Sequence, residues 1–378
     1  MGKGFFRRGE IVWHTVPAAP SRQVGRGTGL RAVLKGNAEE NKTGAIVAHT
    51  RQRILIAGGA GYIGSQMALM LAEAGHDVVV LDNLVSGHAD AVAVSGARLV
   101  NGDIGDAALV GWLLDEVRPD AVLHFAALIE AGQSVQEPER YLENNHRRTL
   151  VFLDALTARN VPPPLVFSST AAIYGEPQTV PIPEDNPAKP INPYGESKLL
   201  VEQAMAARAE SHGLRWAALR YFNAAGADPK GRLGERHEPE THLIPLALHT
   251  ILGKRAEMLV NGKDYDTPDG TCIRDYVHVT DLCRAHLLAL EHLREGGESG
   301  AFNLGGGEGR SVLEVLRTVE RVTDKALPVR HGPRRPGDPA RLVADIGKAK
   351  RVLGWEPALS DLDTIVEHAW AWEKKRPG

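Results

Sequence analysis

The stretch Arg53-Ile54-Leu55-Ile56-Ala57-Gly58-Gly59-Ala60-Gly61-Tyr62-Ile63-Gly64 decides how this chain is read. Its first five residues, RILIA, form an apolar run of strand length that ends on glycines. Helical spacing follows through Ile63, Met67, Met70 and Leu71, and Gly75 stops it. Gly58, Gly61 and Gly64 therefore keep a G-x-x-G-x-x-G spacing between a strand and a helix. The first glycine permits a tight turn, the second lets backbone approach a pyrophosphate, and the third lets helix pack on strand. The helix N-terminus, opened by Tyr62 and Ile63, offers free N–H groups to a phosphate.

Working outward, the alternation continues. Residues 77–81 (DVVVL) form the next apolar strand, and 98–100, 121–125 and 164–168 repeat the pattern with helix-length segments between them. Apolar strands alternating with helices predict a doubly wound parallel α/β sheet covered on both faces, with ligands at the carboxyl ends of the strands. Asp82 closes the second strand, 24 positions after Gly58, where a ribose-binding acid is expected. A carboxylate there repels a 2′-phosphate and so selects NAD over NADP. Asp103 ends the third strand, either to bind an adenine edge or to cap a helix.

Past residue 223 the rhythm loosens into loops, with helical spacing returning at 245–252, 279–293, 311–322 and 362–372. The expected organisation is a cofactor domain at 51–225 and a smaller C-terminal α/β substrate lobe at 226–378, with a segment near 265–297 returning to the first. Residues 1–50 carry a net charge of +5, against −8 for the remainder. They lack the apolar core of a secretory signal and fit a transit peptide only loosely, so they read as a disordered or spurious extension. The whole chain has 378 residues and a net charge of −3, which argues against nucleic acid as its main partner. With no apolar run of membrane-spanning length, no membrane association is expected. Two cysteines cannot form a disulfide framework or a cysteine zinc site, which fits a reducing cytoplasm; no metal site is expected.

Tyr194-Gly195-Glu196-Ser197-Lys198 places a phenol and an ammonium at i and i+4 of a helix opened by Pro193. A free tyrosine, with a pKa near 10, is a poor base at neutral pH. A nearby Lys⁺ and a nicotinamide cation both favour the phenolate, and lowering the pKa by ~3 units takes about 4 kcal/mol. Ser168-Ser169-Thr170, at the end of a strand, supplies a hydroxyl to bridge the phenol to a substrate alcohol. Tyr194 is thus the expected general base, with Lys198 and Thr170 beside it.

Taken in order, GGAGYIGS, LDNL, GDI, HFAAL, YLENN, FSSTAAIYGEP, NPYGESK, LRYFNAAGA, THLIP, GTCIRDYVHVTDL, FNLGGGEG and RRPGDPARLVAD resemble the extended short-chain dehydrogenase/reductases. Within them, the resemblance is to the UDP-glucose 4-epimerase family, over roughly residues 52–375. It implies a Rossmann sheet and reversible 4-epimerisation of UDP-glucose and UDP-galactose through bound NAD. It also implies roles: Asp82 and Asn83 on the adenosine ribose, Asp103 and Ile104 on the adenine, and Phe125, Ala126 and Ala127 along the cofactor with Asn144 and Ser168 nearby. Tyr194 and Lys198 would also touch the nicotinamide ribose, and Phe222 would pack near the nicotinamide. Asn223, His242, Leu243, Arg274, Arg335 and Asp338 would hold the UDP-sugar, the two arginines suiting a diphosphate. A homodimer is implied, through helices around 140–160 and 194–210.

There are departures. Thr170 stands where the family often has Ser, keeping the hydroxyl. Ile129 replaces a Lys seen near the nicotinamide in some members, and His242 an Asn. Leu342 aligns with a position that affects N-acetylhexosamine entry, and hints at unsubstituted hexoses. Related dehydratases and decarboxylases place an acid directly after the Thr; here Ala171 and Ala172 cannot exchange protons. Epimerisation of UDP-pentoses, uronic acids or N-acetylhexosamines is the alternative. A non-enzymatic NAD sensor is disfavoured by the Tyr/Lys pair.

Overall fold

The computed structural model describes residues 51–335 and 338–376, and the leading extension read at 1–50 lies outside them. In chain order the first ten strands are β1 (Arg53–Ala57), β2 (Asp77–Asp82), β3 (Arg98–Asn101), β4 (Ala121–His124), β5 (Leu165–Thr170), β6 (Trp216–Tyr221), β7 (Asn223–Ala225), β8 (Met258–Asn261), β9 (Ile273–His278) and β10 (Gly300–Leu304). Seven of them form one sheet in the order β10-β6-β5-β4-β1-β2-β3, every pair parallel. The chain starts at the centre, winds out through β2 to β3, then crosses to β4 and winds out the other way. Strand order reverses between β1 and β4, so the loops leaving those strands diverge and open a crevice at their carboxyl ends.

Alternation along β1 shows why both faces need cover. Ile54 and Ile56 pack on one side with helices Tyr62–Glu73 and Val279–Arg294. Leu55 and Ala57 pack on the other with helices Ala107–Val117, Arg148–Thr157 and Pro193–His212. All four β1 side chains are fully buried, and a large aliphatic side chain so buried contributes about 1.5–3 kcal/mol. The helix carrying Tyr194 is set at its start: Pro193 occupies the first turn and the Asn192 side chain accepts from Gly195 N at 2.8 Å.

The smaller lobe adds β11 (Gly309–Ser311), β12 (Val329–Gly332) and β13 (Arg341–Leu342). There β9 pairs with β7, β11 and β13, and β8 pairs with β12. Helices Leu243–Ile251, Val312–Thr323 and Leu362–Glu373 close a separate core around Ile244, Leu248, Val315, Val319 and Ile365. Val277 of β9 and helix Val279–Arg294 pack on the main sheet, and β10 joins its edge. Residues of β9 belong to the smaller sheet because their hydrogen-bonding edges face β7, β11 and β13.

Candidate active site

A cavity of about 440 Å³ opens at the reversal point. Its floor is the glycine loop. Gly58 has φ +80°, and a Cβ there would stand 2.3 Å from Ala126 N. A Cβ on Gly64 would meet Gly58 O at 2.2 Å. Those two glycines answer internal demands of the fold. Gly61 does not: a Cβ would meet only Gly58 O, at 3.7 Å. It precedes helix Tyr62–Glu73, whose start has no side-chain cap, and Gly61, Tyr62, Ile63 and Gly64 all line the cavity. Orphan N–H groups beside a bare Cα suit a pyrophosphate, so the residues present fit a dinucleotide.

Asp82 stands beside this loop. Its carboxylate accepts from Ala60 N and Leu84 N, both at 2.9 Å, tying the loop to the end of β2, while burial raises its pKa. Asp103 accepts from Asn83 Nδ2 at 3.0 Å, Gly105 N at 2.8 Å and Arg148 Nη1 at 2.5 Å. Ile104, Phe125, Ala126 and Ala127 continue the wall. Asn144 lines the cavity from a π-helical turn, Leu142–Arg147, and donates to Asn145 Oδ1 at 3.0 Å. Asn145, which the motifs did not single out, is the anchor: it accepts from Leu128 N and donates to Leu128 O, both at 2.8 Å.

At the inner end stand Ser168, Thr170, Tyr194, Phe222 and Asn223. Burial pushes the Tyr194 phenol up to about 12, against the pull of its hydrogen bond with the Thr170 side chain. The Thr170 hydroxyl also accepts from Ala172 N at 3.1 Å, capping the 3-10 turn Ala171–Tyr174 that follows β5. Lys198 is anchored on β5. It shares the helix face of Tyr194, but its Nζ donates to Ser168 O at 2.7 Å and lies 4.8 Å from the Phe167 ring centroid. It is 2% exposed, outside the cavity wall, and burial brings its ammonium down to about 7.

Strand β6, which the alternation did not reveal, holds the same corner from beneath. Arg220 forms a bidentate pair with Glu202 (Nη2–Oε2 2.7 Å, Nε–Oε1 3.1 Å) and reaches the Tyr174 hydroxyl at 2.8 Å. Glu202 also accepts from Ser169 Oγ at 2.5 Å, so helix Pro193–His212 is locked to the end of β5.

Other residues assigned to substrate lie apart from this wall. Arg274, 9% exposed, is paired with Asp338 and donates to Ile273 O at 2.7 Å. The Asn261 amide oxygen, in its satisfied orientation, accepts from Arg335 Nε at 2.9 Å and Nη2 at 3.1 Å. Leu243 opens its helix and packs against the smaller lobe's core. His242 does line the cavity, in company that the motifs did not flag, Glu235 and His237. Burial raises Glu235, but His242 and His237 outweigh it and hold the carboxyl at about 2.

Fold and site together define an enzyme that binds a dinucleotide across a doubly wound sheet and aims a tyrosine at a second ligand. The chain belongs to the NAD dependent epimerase/dehydratase family, whose model matches residues 54–305. More narrowly, it is similar to UDP-glucose 4-epimerases. That of Halalkalibacterium halodurans is 51% identical over 324 residues, covering 86% of this chain and 96% of that protein. That of Rhizobium meliloti is 50% identical, covering 85% and 97%. The solved UDP-glucose 4-epimerase of Brucella ovis, in complex with NAD, superposes with a TM-score of 0.82 at 48% identity, covering 84% and 97%. One from Bifidobacterium longum, with NAD⁺ and UDP, gives 0.81 at 36% identity, covering 86% and 99%.

Proposed function

We propose that this protein interconverts UDP-glucose and UDP-galactose by inverting C4 of the hexose. The observation that carries this is the inner corner of the cavity: a tyrosine hydrogen-bonded to Thr170, followed by two alanines where elimination chemistry would need an acid. NAD, when bound, would supply a hydride acceptor and donor for C4, so that the configuration there could be inverted. Asp82 and Asn83 would hold its ribose, Asp103 and Ile104 its adenine edge, and the glycine loop its pyrophosphate. Tyr194 accepts the 4-hydroxyl proton and later gives it back, with Thr170 steadying the phenol. To act near neutral pH the phenol must be brought down from about 12 by positive charge in the cavity. Lys198 fixes the end of β5 and adds positive charge from below. Arg274, Arg335 and Asp338 form the UDP-sugar side, where a diphosphate competes with the carboxylate for Arg274.

The same reading includes a homodimer, through the neighbouring helices Arg148–Thr157 and Pro193–His212, which Arg208 and Asp154 bridge at 2.5 Å. Light scattering on the purified chain decides that state. It also places the reaction in the cytoplasm, in keeping with two free, buried thiols; no helix among the described residues is long and apolar enough to cross a membrane. On this reading residues 51–225 with 279–304 form the cofactor domain, and 226–278 with 305–376 the sugar-nucleotide lobe. The decisive experiment is conversion of UDP-galactose to UDP-glucose by purified protein with no added nucleotide. Conversion supports both the reaction and retained NAD. Failure rescued by NAD⁺ removes tight retention, and failure in both cases with turnover of a UDP-pentose, uronic acid or N-acetylhexosamine replaces the substrate.

A further inference from the structure

The segment leading into helix Leu243–Ile251 reads Glu235-Arg236-His237-Glu238-Pro239-Glu240-Thr241-His242. Glu235, His237, Glu240 and His242 each turn one ligand atom to a common point, all within 4.8 Å of one another. His237 Nδ1 is 3.1 Å from Glu235 Oε1 and 3.9 Å from Glu240 Oε1. His242 Nδ1 is 3.6 Å from Glu240 Oε1 and in close contact with Glu235 Oε1. Bonds of ~2.0–2.1 Å around a tetrahedral cation put ligand atoms roughly 3.3 Å apart, within the span of these separations.

Burial and satisfaction supply an independent reason. The Glu235 and Glu240 side chains are 6% and 5% exposed. Outside the cluster itself, Glu235 Oε1 and both Nδ1 atoms have no hydrogen-bond partner, and Glu240 Oε2 has none. These buried atoms face chiefly one another, imidazole nitrogen against carboxylate oxygen, so as neutral rings they need a shared positive charge, which one cation supplies. Glu240 is also braced from outside: its Oε1 accepts from Thr241 N at 2.8 Å and His242 N at 2.9 Å. Backbone support of this kind orients a metal-binding carboxylate.

We propose that Glu235, His237, Glu240 and His242 bind a divalent transition cation of the zinc class. Two imidazole nitrogens among the donors select zinc, cobalt or nickel over magnesium and calcium. Four protein ligands leave no open position, so the cation acts as a clasp and takes no part in bond making. What it clasps is the wall of the cavity facing the glycine loop, since Glu235, His237 and His242 line the space that Tyr62 also lines. Tyr62 stands edge-on to His237, ring centroids 6.5 Å apart, and its hydroxyl donates to Gly226 O at 2.7 Å, upstream of this segment.

The test uses untagged full-length protein, purified without metal resin and dialysed against metal-free buffer near neutral pH. Elemental analysis is expected to find about one zinc-class ion per chain, and less than about a tenth of that in His237→Gln and Glu240→Gln. Stripping with pyridine-2,6-dicarboxylate should lower the thermal midpoint, and zinc should restore it. Cobalt added to the stripped wild type should give the visible absorption of a four-coordinate, nitrogen- and oxygen-bound ion, a readout that stands even where a variant fails to fold. No retained metal, no cobalt band and a midpoint indifferent to zinc would overturn the proposal and leave two imidazolium groups paired with two glutamates. None of these readouts depends on turnover, so the substrate assignment and the metal assignment fail separately.

Discussion

Gly58 and Gly61 make unequal demands, and alanine at each separates fold from cofactor. At Gly58 the backbone has φ +80°, where a Cβ costs about 1–2 kcal/mol. The new methyl would lie 2.3 Å from Ala126 N and 2.7 Å from Ala126 Cα, both backbone, so β4's exit must shift. Such overpacking adds about 1–3 kcal/mol. At roughly 2 °C per kcal/mol for a chain of this size, Gly58→Ala should lower the midpoint of the NAD-free protein by about 4–10 °C. Gly61 has φ −79° and ψ 179°, open to any residue, and its Cβ would clear the protein. Gly61→Ala should therefore hold the NAD-free midpoint to within about 2 °C. Its methyl would stand where the pyrophosphate meets the helix N–H groups. Losing one such charge-assisted bond costs about 1.5–3 kcal/mol, or roughly 10- to 150-fold in NAD affinity. Scanning fluorimetry on stripped protein and calorimetric titration with NAD measure the two effects. Equal destabilisation by the two substitutions, or wild-type NAD affinity in Gly61→Ala, would refute the reasoning.

Three further outcomes follow from the site and core. Tyr194→Phe should cut turnover at least about 100-fold with NAD content unchanged, read by coupled assay and by cofactor release; near-normal turnover would sink the general-base role. Glu202→Gln leaves the Arg220 guanidinium buried without its carboxylate, and chemical denaturation should show a loss of about 3–5 kcal/mol, a loss under 1 contradicting the account. His124, His278 and His286 are buried neutral, held down from 6.5 to about 3, 3 and 4. Their stabilisation is full above 6.5 and is lost as pH falls toward those values, reinforced by His146 and His368, also lowered by burial, while the buried carboxyls Asp275, raised to about 7, Asp82 and Glu184 work the other way. Denaturation midpoints should therefore decline between pH 6.5 and 4.5, and a flat profile would count against the neutral histidines.

How much of this was legible in the sequence depends on how local each signal is. The glycine spacing and the Tyr194/Lys198 interval are set within one turn or one helix face, and the sequence shows them directly. The direction Lys198 takes is a rotamer choice made by Ser168 O and Phe167, which belong to a different strand. Strand β6 stayed hidden because Arg220 breaks its apolar run, and the ion pair that makes an arginine tolerable there comes from Glu202, 18 residues earlier. The π-turn that sets out Asn144 and Asn145 inserts one residue into helical register without any compositional mark. Glu235, His237, Glu240 and His242 do carry an E-x-H-x-x-E-x-H spacing, but in an irregular segment, where no helix or strand period brings the donors together.

The chain's double passage between its seven-stranded sheet and the smaller lobe has a consequence for how the molecule can be taken apart. A gene cut after residue 225 would encode most of the dinucleotide half but strand it without β10 and without helix Val279–Arg294. The exposed margin of β6 would then be a bare pairing template next to an uncovered greasy surface, a recipe for aggregation. The complementary fragment would fare no better, since β9 needs β7 from the discarded piece. Recombination by simple swapping of front and back halves is thereby closed to this architecture, and heating should melt both lobes in one cooperative transition rather than two.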